Sequence, residues 1–327
     1  MTTEPQLPMS NLEIENFRGI KHAKISDFKR VNLLVGKNNS GKSTVLESLY
    51  VLLSSYCGEI ECWANALKER NPIYDEQYWD ALFYEFDSKK NIIRIQESEK
   101  RRMEINLDGS TLKVSNTVAV YLIDFGFDNS KQMQVSRHQQ GVMLQTPVMF
   151  LSTAALKDIL NSLADDFDKI QDSKLISLLC DTVRPIEPNI RDFRMSSKRV
   201  VKADIASIPK LLPVNLLGEG MVRMLGMVMK IANAKDGVVL IDEIENGFHY
   251  SVLETMWKTL FEAAKKFNVQ IFATTHSEEC IEAFAKIECD EDDLRLFRLS
   301  KKEDKTWVTK YRHENLLAAF EIEAEVR

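Results

Sequence analysis

The run VNLLVGKNNSGKSTVLESLY, residues 31–50, constrains the fold of this 327-residue chain more than any other stretch. An apolar segment ends at a glycine, a small-polar loop follows, and Gly-Lys-Ser-Thr opens a helical pattern. Strand, glycine loop and helix in that order make a phosphate cradle. GKNNSGKS satisfies G-x-x-x-x-G-K-[ST] with Gly36, Gly41, Lys42 and Ser43 in register. The glycines let the loop N–H groups of Asn38, Asn39 and Ser40 turn toward phosphate oxygens, and Thr44 follows in the first helical turn. Lys42 reaches β- and γ-phosphates, and the Ser43 hydroxyl is placed to ligate Mg²⁺.

Composition narrows the classes around that motif. The hydrophobic fraction of 44% and charged fraction of 28% are those of a globular protein. A net charge of −6 argues against a surface given over to nucleic acid. Neither a membrane-length apolar run nor a basic n-region with an apolar core at the start is present, so a cytoplasmic protein with no membrane association is expected. Five cysteines form no C-x-x-C pair, which disfavours zinc and fits free thiols.

Periodicity sorts the rest. NLEIENFRGIKHAKISDFKR predicts short strands before the phosphate loop, and Val45, Leu46, Leu49, Leu52 and Leu53 predict a helix after it. From residue 57 to 146 the pattern changes to aromatic-rich and alternating stretches, NIIRIQES, RRMEINLDGSTLKVSN and VAVYLIDF. We read this as an inserted α/β lobe. PVMFLST then begins a series of buried strands and amphipathic helices running through GVVLIDEIENG, SVLETMWKTLFEAAKKF and VQIFATTHS. That succession predicts a parallel sheet with crossover helices.

Two of those strands end in polar chemistry. In GVVLIDEIENG four apolar residues run into Asp242 and Glu243. A carboxylate at the end of a buried strand is where a phosphate-loop protein holds Mg²⁺, which assigns Asp242. Glu243, on the opposite side of an extended strand, is then free to polarise an attacking water as general base. VQIFATTHS ends in Thr274, Thr275, His276 and Ser277, and His276 is placed to contact a γ-phosphate. Gly218-Glu219-Gly220 opens another helix suited to an anion. Since one chain already has one cradle, the economical ligand for that second start is a partner subunit's nucleotide, which predicts a head-to-tail dimer.

Phosphate loop, glycine-rich helix start, strand-Asp-Glu and strand-Thr-His-Ser, in this order, resemble an ABC-type ATPase head. Within that group the chain resembles the RecF, SMC and OLD (overcoming lysogenization defect) branch, through LEIENFRGIKHAKI, VLIDEIENGFHYSVLETMW and QIFATTHSEECIEAF. The resemblance covers residues 10–55 and 148–327. It implies a P-loop NTPase of ABC-ATPase type, α/β, with a mixed sheet and crossover helices, an N-terminal antiparallel β portion and an inserted lobe. Residues 1–56 and 147–327 form the head on this division, and 57–146 the lobe. ATP and Mg²⁺ are the implied ligands. Lys42 and Ser43 match the P-loop positions, Asp242 the metal ligand, Glu243 the base and His276 the switch histidine. Gly218, Glu219 and Gly220 occupy the signature loop, residues 246–249 the dimer-communicating loop, and Arg18 a position near the nucleotide. Gly218 stands where typical signatures have a serine, so a hydroxyl contact to the γ-phosphate is missing. Gln145 and Gln96 are the candidates for the Q-loop glutamine.

The resemblance also sets expectations about purpose. OLD nucleases continue into a Toprim nuclease domain, whereas barely 50 residues follow His276 here. The acidic runs DDFD (165–168) and DEDD (290–293) read as solvated faces. The expectation is an ATPase switch, a homodimer of heads or a higher homo-oligomer, acting on a separate effector protein such as a Toprim-type nuclease or a toxin in bacterial anti-phage defence. The alternative is a RecF-like DNA-binding ATPase in repair or clamp loading, for which Arg191, Arg194, Lys198, Arg199 and Lys202 supply a basic cluster. A solvated hairpin is the plainer reading of that cluster.

Overall fold

A computed structural model describes residues 7–64, 79–109, 111–125, 133–144, 146–152, 155–290, 293–302 and 305–316. Gln145, together with Glu291 and Asp292 of the second acidic run, lies outside the described residues. So do 65–78 and 126–132 within the segment read as a lobe.

Two large sheets carry the molecule. The first is antiparallel, with strand order β2-β1-β4-β5-β6-β7-β8. Its strands are β1 (Asn11–Phe17), β2 (Ile20–Ser26), β4 (Ile93–Gln96), β5 (Arg102–Asp108), β6 (Thr111–Asn116), β7 (Ala119–Phe125) and β8 (Met133–Gln139). β4 hydrogen-bonds directly to β1, Ile14 opposite Ile95, so strands of the 57–146 segment continue the N-terminal hairpin. The second sheet has the order β16-β15-β3-β14-β13-β9. β9 (Val148–Leu151), β13 (Val238–Ile241), β14 (Gln270–Thr274), β3 (Val31–Val35) and β15 (Leu294–Lys302) run parallel. β16 (Lys305–Arg312) closes the edge antiparallel to β15. The parallel sheet with crossover helices and the antiparallel N-terminal β portion are therefore as expected.

Alternation along the parallel strands splits the interior into two cores. Val31, Leu33 and Val35 face one core, while Leu34 faces the other with Leu240 and Phe272. Asn32, fully buried among them, is satisfied by its own neighbourhood: Nδ2 donates to the Lys29 and Ile271 carbonyls, and Oδ1 accepts from the Lys29 N–H. Buried amides are tolerated on that condition.

Helix α1 (Lys42–Cys57) fills the space between the sheets, its apolar side chains meeting Leu12, Ile14 and Ile95 from one and Leu240 and Phe272 from the other. It is consequently buried on every side, Ser48, Ser54 and Ser55 included. Ser48 and Ser55 meet their polar requirement within the helix by donating to the Val45 and Leu52 carbonyls, each at 2.7 Å. The opposite core is covered by α2 (Ala155–Asp172), α3 (Ile176–Val183), α4 (Glu219–Asn233), α5 (Leu253–Phe267) and α6 (Glu278–Ala285). Lys230 of α4 reaches the buried Asp166 of α2 at 2.6 Å, which ties these two helices together.

A small sheet of β10 (Ile190–Met195), β11 (Val201–Ile205) and β12 (Leu212–Pro213) lies against α2. Its β10–β11 hairpin carries the basic cluster, with Arg191 and Arg194 on β10, Lys198 and Arg199 in the turn and Lys202 on β11. Arg199 there pairs with Asp165 at 2.5 Å and Asp168 at 2.9 Å, so two acids of the first acidic run form an exposed contact with the basic cluster, whereas Asp166 between them is buried against Lys230 and not on the solvated face expected. No helix among the described residues is long and apolar enough to cross a membrane.

Candidate nucleotide site

The phosphate loop leaves β3 at Val35 and enters α1 at Lys42. Two backbone positions there demand glycine. Gly36 has φ +141°, and a Cβ on it would lie 2.3 Å from the Leu299 carbonyl oxygen. Gly41 caps α1 in the left-handed region, φ +102°. No side chain caps α1, and its first turn carries no acid, so its N-terminal N–H groups are left for an anion. Ser40 Oγ is buried in the same loop without a hydrogen-bond partner.

Lys42 is 4% exposed, and its ammonium is folded back onto the Gly36 and Lys37 carbonyls at 2.7 and 3.1 Å. A buried cation needs such partners. Asn38 and Asn39 stand exposed at the loop tip, Asn39 with φ +61°, and Thr44 sits half-buried in the first turn. An uncapped helix start, an orphaned hydroxyl and a buried ammonium held by loop carbonyls together fit a polyphosphate.

β13 brings the carboxylates. Asp242 is 8% exposed, and its Oδ1 accepts from Ser43 Oγ at 3.0 Å and from Thr274 Oγ1 at 2.7 Å. A hydroxyl and a carboxylate oxygen at that separation are hard oxygen donors of the kind Mg²⁺ takes. The chain turns at Glu243, whose φ is +51°. The simple in-and-out alternation expected for Asp242 and Glu243 therefore does not apply, because the extended strand ends at Ile241, before both of them. The Glu243 N–H donates to Thr274 Oγ1 at 2.8 Å, and its Oε2 accepts from Asn246 Nδ2 at 2.7 Å. His276 Nε2 stands 3.7 Å from Glu243 Oε1. The His276 N–H donates to Glu245 Oε1 at 2.8 Å, and the Ile244 N–H to the Thr274 carbonyl at 3.0 Å. The turn after β13 is thus laced to the end of β14.

Ser43, Asp242, Glu243 and His276 are in this way brought into one chain of contacts beside Lys42. Arg18 joins indirectly: at φ +49° in the β1–β2 turn, it pairs at 2.7 Å with Glu47, one turn along α1 from Ser43. Gly218, Glu219 and Gly220 open α4 elsewhere. Glu219 Oε1 accepts from Arg223 Nε and Nη2 at 3.0 and 2.9 Å. The Arg223 guanidinium lies on Gly247, where a Cβ would come within 2.3 Å of Nε. The signature loop therefore packs on the 246–249 loop of its own chain, while a Cβ on Gly218 would meet open space. Gln96 lies on β4, its amide on Glu13 at 2.9 Å.

Sequence reasoning named Thr274 and residues 246–249 without their contacts, and it missed Glu47 and Glu245. The signal for Thr274 was a hydroxyl at the end of a strand, readable only once β14 is known to lie beside β13.

The AAA ATPase domain profile matches residues 9–174 and 151–281, and the chain belongs to that family. It is 24% identical over 375 aligned positions to an ATP/GTP phosphatase of Helicobacter pylori, covering 96% of this chain and 98% of that protein. A 48-residue stretch is 56% identical to the DNA replication and repair protein RecF of Francisella tularensis subsp. mediasiatica, 14% of either protein. Among solved structures, the SmcHead bound to the C-winged helix domain of ScpA aligns with TM-score 0.58 and 11% identity, covering 94% of this chain and 99% of that one. The SMC head domain from Thermotoga maritima aligns at 0.51 and 12%, covering 93% and 99%. At these identities the structural likeness is one of fold.

Proposed function

We propose that this chain is an ATP-hydrolysing switch subunit of the OLD-type branch. The observation that carries the reading is the oxygen cluster Ser43–Asp242–Thr274, with Glu243 turned out beside it and Lys42 buried in the adjoining loop. Lys42 exchanges its loop carbonyls for β- and γ-phosphate oxygens, and the N–H groups of the loop and of α1 hold the rest of the polyphosphate. Ser43 and Asp242 would hold Mg²⁺, which when bound supplies charge neutralisation on the phosphate oxygens. Glu243 accepts the proton of the attacking water, and His276, near its carboxylate, contacts the γ-phosphate.

In this reading two heads close on nucleotide, each Gly218–Gly220 start completing the partner's site, and the closed form acts on a separate effector, a nuclease or toxin, in cytoplasmic anti-phage defence. Residues 1–56 and 147–327 are the head in this reading, and residues 57–146 the inserted lobe. Support comes from the family membership, from the phosphatase relative, 98% of which is covered by the alignment, and from the resemblance of the four motifs.

Purified protein with Glu243→Gln should lose turnover by about 100-fold or more while retaining Mg²⁺-ATP, as expected for removal of a general base. Lys42→Ala should lose nucleotide binding. Equal phosphate release by wild type and the glutamine variant would remove Glu243 from its role.

The RecF stretch favours a second reading, DNA binding. Filter binding of duplex DNA decides it: a salt-dependent affinity lost on reversing Arg191, Lys198 and Lys202 supports that reading, and no retention at low salt ends it.

A further inference from the structure

The Thr274 hydroxyl lies at the centre of the site, and none of the roles above uses it. Thr274 is the last residue of β14, 1% exposed, and its Oγ1 makes two bonds of opposite sense. It donates to Asp242 Oδ1 at 2.7 Å and accepts the Glu243 N–H at 2.8 Å. The senses are dictated by chemistry. An ionised carboxylate can only accept and a backbone amide can only donate, so the single hydroxyl proton belongs to Asp242 and a lone pair to Glu243. One oxygen therefore fixes the orientation of the carboxylate that would hold the metal. It also fixes the backbone of the residue that would act as base.

The second bond falls where the chain needs it. Glu243 is a non-glycine residue in the left-handed region, a conformation that persists only when surrounding contacts hold it. Three bonds from β14 and its following loop do so: the Glu243 N–H to Thr274 Oγ1, the Ile244 N–H to the Thr274 carbonyl, and the His276 N–H to Glu245. Only the first also touches Asp242. A valine would occupy the same volume and suit the strand equally well, yet it could make neither bond. Packing alone therefore does not require threonine here.

We infer that Thr274 is a positioning residue that locks the Asp242 carboxylate and the Glu243 turn into one unit through a shared hydroxyl. The inference rests on the proposed function, and two readouts separate the two claims. In a Thr274→Val protein that melts within a few degrees of wild type, kcat falls about 10- to 100-fold, with the KM for ATP at saturating Mg²⁺ changed less than about threefold. The Mg²⁺ concentration that half-saturates binding of a fluorescent, slowly hydrolysed ATP analogue rises about tenfold, because Asp242 loses its fixed orientation. Thr274→Ser, which keeps the hydroxyl, restores both to within about threefold of wild type.

Wild-type behaviour of Thr274→Val in the Mg²⁺ titration overturns the inference, as does a serine variant as impaired as the valine one. If the wild-type chain releases no phosphate, the proposed function falls, and the Mg²⁺ titration still decides the role of Thr274.

Discussion

Asp27, at the end opposite the phosphate loop, shows how one residue can hold several elements. At φ +75° between β2 and β3, its carboxylate takes Lys29 at 3.0 Å, Arg295 of β15 at 3.1 Å and Lys310 of β16 at 3.2 Å. Burial pushes its pKa up, but the hydrogen bonds from Lys29 and Lys310 and the charge of Arg295 outweigh that and hold it below the usual aspartate range. A depressed folded value means the stabilisation is fully present above the unfolded pKa and is lost as pH falls through the folded one. Asp27→Asn should therefore lower the melting temperature by a few degrees at pH 7, with the gap to wild type closing below pH ~4. A constant gap from pH 7 to pH 3 would show that the carboxylate charge is not what matters. At this scale the sequence was most readable where a motif fixes spacing within one segment, as for Gly36, Lys42 and Ser43. It was least readable where function depends on two segments meeting, as for Thr274 with Asp242 or Glu47 with Arg18. Nothing in DEIENG announces the left-handed turn at Glu243.

Among the elements, α2 and α4 approach most tightly at Gly226. A Cβ there would lie 2.5 Å from Ile159 Cγ2 and 2.9 Å from its Cγ1. Any side chain but proline gains helix propensity over glycine by up to about 1 kcal/mol, while overpacking costs about 1–3 kcal/mol, so a branched side chain loses on balance. Gly226→Val should destabilise the fold by about 1–3 kcal/mol in urea unfolding, and Ile159→Ala in the same chain should return part of that loss. Strict additivity of the two changes would place the strain elsewhere. The helix α5 announces itself through a clear period, and the strands β13 and β14 through unbroken apolar runs buried on both faces. β8, MQVSRHQ, has no apolar alternation to read, and its strand character comes from its ladder to β7. α1 reads as a one-faced helix, and only the arrival of the antiparallel sheet explains why Ser48, Ser54 and Ser55 are buried as well.

For the whole molecule, the proposed closure of two heads has a surface to work with. Leu216 and Tyr250, 63% and 69% exposed, flank the Gly218 start and the 246–249 loop on the chain. Light scattering after gel filtration should give the Glu243→Gln protein twice its monomer mass with Mg²⁺-ATP and a single mass with Lys42→Ala. A monomer under both conditions would remove the nucleotide-closed dimer. The overall architecture was legible because strand-helix alternation leaves few topologies. The insertion of β15 beside β3 was not, since nothing local to DLRLFRLS says which strand it will join.

The position of α1 has one further consequence. A helix walled in on all sides has no slack direction, so a displacement begun at its phosphate-binding tip cannot be absorbed by sideways drift. In the proposed switch, nucleotide at that tip is therefore expected to move the two sheets against which the helix packs.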